Sequence, residues 1–146
     1  MTRIRAATAD DAEVLALLAG QLGYPSEART IRQRLDDMAE CRTGVVLVAV
    51  DEHDAVIGFA HALPQRFLIA DPFVDLAGMV VAETARGQDV GTALLAAVEA
   101  WAREQGFASV RVRSNVVRER AHRFYLREGY AEQKRQVVFV KSLPAG

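Results

Sequence analysis

Cysteine is nearly absent from this 146-residue sequence: Cys41 stands alone, which excludes an internal disulfide and any cysteine-based zinc cluster. Lysine is almost as scarce. Of the 18 basic residues only Lys134 and Lys141 are lysines, an arginine excess that codon bias explains as readily as function. No apolar run approaches the ~20 residues of a membrane span, residues 45–50 being the longest compact stretch. Residues 1–5 lack the apolar region of a signal peptide, so the expected location is the cytoplasm. Charge of one sign is lacking too. A formal net charge of −1 argues against a globally basic nucleic-acid binder and against a disordered polyanion. What remains, 51% hydrophobic and 25% charged, describes a globular chain long enough for one domain, expected to span residues 1–146, with no room for a second of normal size.

Periodicity orders the elements. Residues 2–6 alternate as a short strand. Thr8 followed by Asp11 reads as a helix start, and Val14, Leu15, Leu17, Leu18 and Leu22 form one helical face that stops near Gly23 and Pro25. Ser26 is the expected cap of a second helix, amphipathic through Ile31, Leu35 and Met38. Residues 44–50 and 55–63 form a hairpin around the turn 51–54, and a further strand covers residues 73–81. The clearest helix follows: Val90, Ala93, Leu94, Ala97, Val98 and Trp101 lie on one stripe, and Gly106 ends it. A strand at 109–113, a helix at 118–128 closed by Gly129, and a last strand at 137–140 complete the order βααβββαβαβ, an α/β domain.

The chemistry-bearing segment is residues 80–92. A strand feeds a glycine-containing turn that opens an amphipathic helix, an arrangement that aims backbone N–H groups and a positive helix end at one spot and so suits phosphate or pyrophosphate. A P-loop would need lysine after its last glycine, but Gly91 is followed by Thr92. A dinucleotide fingerprint would need a third glycine beside Gly87 and Gly91.

The stretch resembles the pyrophosphate motif Arg/Gln-x-x-Gly-x-Gly/Ala of the Gcn5-related N-acetyltransferase (GNAT) superfamily, with Arg86 first and Gly91 last. Ser114-Asn115, Arg118, Ala121-His122-Arg123-Phe124-Tyr125 and Gly129-Tyr130 continue the likeness, which covers roughly residues 73–141. One position departs: Asp89 stands where the motif has glycine. Its carboxylate either weakens pyrophosphate binding or serves as a helix cap that tolerates the left-handed conformation.

The resemblance implies an α/β (α+β) fold. Its mixed, mainly antiparallel central sheet would have about six to seven strands, with a parallel, splayed central pair and about four helices. It implies acetyl-CoA as cosubstrate, its pantetheine arm paired with the backbone of Met79, Val80 and Val81 and bonded by Asn115. The N–H groups of Arg86, Gly87, Gln88, Asp89, Val90, Gly91 and Thr92 would cradle the pyrophosphate. Tyr125, placed where the family's tyrosine lies, would protonate the thiolate leaving group, although a half-buried core aromatic has the same signature.

Asp75 is the candidate base. By the period of two it shares a face with Met79 and Val81, roughly 13 Å from Met79, and would act through water or on a longer substrate. Glu83 and His122 are alternatives, and no cluster has metal-ligand spacing. The turn at residues 22–25 and the segment 67–73 are expected to shape the site for a small-molecule or protein amine, with Tyr24 either lining an acceptor pocket or bracing the turn. The strand at 137–140 offers an edge for a homodimer. The reading from another class is a non-catalytic acyl-CoA-binding or interaction module with a degenerate loop at Asp89.

Overall fold

The first helix begins where Thr8 and Asp11 place it. Thr8 N–H donates to Asp11 Oδ2 at 2.8 Å, a 3-10 turn spans Ala9–Asp11, and α1 runs Ala12–Leu22. Gly23, in the left-handed region at φ 104°, ends it. Helix α2, Ala28–Cys41, turns Ile31, Leu35 and Met38 inward while its arginines and acids stay exposed. Ser26 is not its cap. Glu27 holds that position, and the Ser26 hydroxyl turns back to the Tyr24 carbonyl at 3.3 Å.

The structure is a computed structural model that describes residues 2–114 and 118–146, and the chain forms two compact units, Met1–Arg113 and Ser114–Gly146. In the first unit five strands make one sheet: β1 Arg3–Ala6, β2 Val45–Val50, β3 Val56–Phe67, β4 Ala70–Val81 and β5 Val110–Val112, ordered 1-2-3-4-5. The first four pair antiparallel and β4–β5 parallel. The turn before β3 is fixed by Asp51, whose Oδ1 accepts from the N–H groups of His53 and Ala55 at 2.8 and 3.0 Å.

The β3–β4 hairpin is longer than the pattern of residues 55–63 suggests, because Pro64 does not end the strand. Pro64 lies past Ala62, where the pairing with β2 stops, so its missing N–H costs no ladder bond.

Helix α3, Val90–Glu104, packs its buried stripe of Val90, Leu94, Leu95, Val98 and Ala102 on the sheet. Small residues on β3 permit the approach. A Cβ on Gly58 would sit 2.9 Å from the Val80 carbonyl oxygen and 3.2 Å from Leu94 Cδ1, and Ala60 and Ala62 on the same face are fully buried. The opposite face carries Val48, Phe59 and Val80, and α1 lies against β3 and β4.

The second unit holds α4, Glu119–Arg127, closed by Gly129 at φ 94°. The strand expected at 137–140 is not formed. Val138, Phe139 and Val140 are 84%, 91% and 93% exposed, and residues 131–146 belong to no helix or strand. A β-branched run makes a strand only where a neighbouring ladder receives it, which propensity cannot supply. The described residues therefore show five strands and four helices instead of six to seven strands, and the expected dimer edge at 137–140 is absent as a strand.

Candidate active site

Ala77 reorganises the middle of β4. His61 pairs with Gly78, but Ala62 pairs with Leu76, leaving Ala77 as an extra residue in a β-bulge. Directly opposed residues of an antiparallel pair share a face, so two sets follow. Val74, Leu76, Met79 and Val81 lie with Gly58, Ala60 and Ala62 on the α3 side. Phe73, Asp75, Gly78 and Val80 lie with Phe59, His61, Leu63 and Gln65 on the other. The period-of-two expectation for Asp75 is therefore corrected: the bulge separates it from Met79 and Val81.

The same bulge redirects the backbone. Val74 N–H donates to Ser109 at 3.0 Å, and β4 pairs with β5 only through Leu76. Past that point no described strand covers this edge of β4. Ala82 N–H donates to Ile57 at 2.8 Å, so by antiparallel alternation Val80 also bonds to β3, while Met79 and Val81 turn their N–H and C=O groups to the uncovered edge. Of the three residues expected to receive an added strand, Met79 and Val81 present backbone groups and Val80 does not.

Beyond β4 a 3-10 turn, Glu83–Ala85, is pinned by buried Ala85 and by the Glu83 N–H donating to Gln21 Oε1 at 3.3 Å. The cradle follows. Arg86 is extended, Gly87 is left-handed at φ 83° with nothing within 4 Å of the place a Cβ would take, and Gln88 is exposed. Asp89 stands at the cap position of α3 in the left-handed region, φ 61° and ψ 21°, and its side chain makes no capping bond. That conformation is why the motif has glycine here, and aspartate is among the few side chains that tolerate it. The first bond of α3 runs from Ala93 N–H to the Asp89 carbonyl at 3.1 Å, which leaves the N–H groups of Val90, Gly91 and Thr92 without helical acceptors. This end of α3 can receive an anion. The open edge and the cradle fit an extended arm ending in a diphosphate; the exposed Asp89 carboxylate is the one group of opposing sign in the segment 86–92.

Asp75 is 3% exposed and paired: Arg113 Nη2 donates to its Oδ2 at 2.6 Å, and Gln65 Nε2 lies 3.5 Å from the same oxygen. Arg111, its register partner on β5, stacks its guanidinium 4.0 Å from the Phe73 ring centre. His61, unremarked in the sequence, faces this group. Burial lowers its pKa below the ordinary imidazole value, and the Asp75 charge partly opposes the shift. No motif marks His61; only the register places it opposite the bulge.

Glu83 is exposed on its turn, Tyr24 is exposed, and Cys41 is exposed at the last position of α2. Among the described residues no group of three or more His, Cys, Asp or Glu gathers as a metal site, and no helix is long and apolar enough to cross a membrane. In the second unit Tyr125 is half-buried on α4, edge-on to Phe124 and Tyr130 with ring centres 5.3 and 5.9 Å away. Burial raises its phenol pKa, with Arg118 pulling the other way, so the ring keeps its proton at neutral pH. His122 lies one turn earlier on the same helix. Asn115 lies outside the described residues.

The sequence model of the acetyltransferase (GNAT) family matches residues 12–130. An aminoglycoside N(6')-acetyltransferase type 1 from Stenotrophomonas maltophilia is 31% identical over 140 residues, covering 93% of this chain and 90% of that one. An aminoalkylphosphonate N-acetyltransferase from Salmonella typhimurium is 46% identical over 54 residues, 37% of this chain and 35% of that protein. Among solved structures, an aminoglycoside N-acetyltransferase in complex with CoA superposes with a TM-score of 0.85 at 21% identity, covering 97% of this chain and 95% of that one. An aminoglycoside 6'-N-acetyltransferase from Acinetobacter baumannii gives 0.85 at 18% identity over 99% of this chain and 100% of that one.

Proposed function

Because this chain belongs to the acetyltransferase (GNAT) family and is an acetyl-CoA-dependent N-acetyltransferase, we propose that it transfers the acetyl group directly to a primary amine of a small polar molecule. Aminoglycosides are the first class to try, since a relative matched over nearly its whole length is named for them; aminoalkylphosphonates are the second. In this reading residues 1–146 form one catalytic domain.

The observation that carries the proposal is the edge of β4 beyond Leu76, which no described strand pairs with as it runs past Met79 and Val81 toward residues 86–92. Met79 and Val81 would bind the pantetheine arm as a neighbouring strand binds, through backbone bonds. The N–H groups of Arg86–Thr92 would hold the pyrophosphate, and Asn115 would bond the arm's amides. When bound, the cosubstrate supplies an activated acyl group on sulfur.

Tyr125 is the proposed general acid, because a phenol that stays protonated at neutral pH can hand its proton to the departing sulfur. Asp75, proposed as base from the sequence, is here already engaged by Arg113, which suits it better to shaping the acceptor side than to free proton exchange.

Calorimetry with acetyl-CoA, followed by release of free CoA in the presence of an aminoglycoside bearing a 6'-amine or of an aminoalkylphosphonate, tests the reading. Binding with amine-dependent release supports it, and binding without release from either amine rules out both acceptor classes.

A further inference from the structure

The amine must lose a proton as it attacks, and a buried ion pair is a poor place to put it. We propose that His61 is the residue that takes this proton. This rests on the acetyltransferase reading above and adds a catalytic residue to it.

The geometry is specific. His61 is the direct partner of Gly78, at the bulge just past the last pairing between β4 and β5. Its side chain shares the Gly78 face, where a Cβ on Gly78 would meet nothing within 4 Å. An imidazole therefore borders open space on the face opposite α3, at the point where the two strands part.

On β4 the facing charge is Asp75; Arg113, just past β5, is bonded to that carboxylate, and Arg111 on β5 is stacked on Phe73. β2 places Val46 opposite His61 and carries no charged residue, and β3 flanks it with Phe59 and Leu63. The one charged residue of α1, Glu13, is exposed. Half-buried among apolar neighbours, the ring stays neutral at pH 7 with a nitrogen lone pair to offer, and the Asp75 carboxylate steadies the imidazolium that forms.

The step balances. The amine nitrogen forms a bond to the thioester carbonyl carbon, the carbon–sulfur bond breaks with its electron pair going to sulfur, and sulfur takes a proton from the general acid. One N–H proton passes to His61, which later loses it to solvent while the general acid takes one back from solvent.

Two measurements test the assignment. In the first, the His61 ring is titrated by NMR in the wild type and in Asp75→Asn. A midpoint below the ordinary imidazole value that falls further in Asp75→Asn is expected. A midpoint well above the pH at which the enzyme is active, which leaves no neutral ring to accept the proton, overturns the proposal, whichever amine is the acceptor. In the second, kcat/KM is followed against pH with acetyl-CoA and the more active of the two probe amines. Wild-type activity should fall on the acid side as His61 protonates. His61→Gln should lower kcat about 100-fold and abolish that limb while leaving acetyl-CoA affinity unchanged. Persistence of the limb in His61→Gln with intact acetyl-CoA affinity defeats the role of His61 alone. Failure of the wild type to bind acetyl-CoA defeats the enzyme reading from which the role follows.

Discussion

Asp89 offers the sharpest perturbation, because its charge and its conformation act on different observables. The residue occupies the left-handed region at the start of α3, where a residue other than glycine, asparagine or aspartate pays about 1–2 kcal/mol. Its carboxylate is exposed in the cradle proposed for a diphosphate. Two unit charges of like sign about 4 Å apart repel by about 1 kcal/mol in water, and salt screens this over a Debye length of about 8 Å at physiological ionic strength. Asp89→Asn keeps the tolerance for a positive φ and removes the charge; Asp89→Gly removes both side chain and charge. Each should tighten acetyl-CoA binding about five-fold at low salt, and the gain should shrink at about 0.5 M salt. Asp89→Ala also removes the charge, but it forces an ordinary Cβ into the left-handed region. It should lower Tm by about 2–8 °C relative to Asp89→Asn in a chain of this size. The assays are isothermal titration calorimetry at two salt concentrations and thermal unfolding. Equal affinities for Asp89, Asn and Gly at low salt would refute the placement of an anion at this loop. An alanine variant as stable as the asparagine one would refute the backbone argument.

Two further outcomes are expected. Tyr125→Phe should lower kcat about 100-fold with acetyl-CoA affinity unchanged, and the alkaline limb of the wild-type profile should lie above the ordinary phenol range because burial raises the Tyr125 pKa. Unaltered turnover in Tyr125→Phe removes its role. Asp11→Ala should destabilise the fold by about 1–3 kcal/mol, since the buried carboxylate accepts from both Arg5 Nη atoms at 2.9 Å and from the Thr8 N–H, while the exposed side of Arg5 is screened by solvent. Arg5 holds the Asp11 pKa below its ordinary value, so this stability is present above the unfolded pKa and is lost as pH falls through the folded one. Denaturant unfolding at neutral and acid pH checks the sign: the gap between wild type and variant should close in acid, and a constant gap contradicts it.

The motif at residues 86–91 is a matter of local sequence, and the structure gives its unusual member a physical basis: Asp89 has the backbone angles for which the motif has glycine. Helix ends were legible for the same local reason. Thr8, Asp11, Gly23 and Gly129 act on atoms within a few residues of themselves. Ser26 misled because a hydroxyl has several carbonyls and N–H groups in reach, and it chose the one behind it. The run at 137–140 misled because strand propensity describes a willingness to pair and names no partner.

The sequence by itself determined which segments are helices, where the hairpin turns at Asp51, and that a left-handed, glycine-containing turn at residues 87–89 leads into α3, all consequences of interactions within one or two turns of chain. Only the tertiary structure decided which way the residues of β4 face. The bulge at Ala77 exists in the pairing of β4 with β3, where Ala62 meets Leu76 and His61 meets Gly78. That single extra residue separates Asp75 from Met79, turns Met79 and Val81 to the uncovered edge, and sets His61 beside open space. A periodicity of two counts along one strand, whereas a bulge is a property of two strands together, so no reading of β4 alone could have found it.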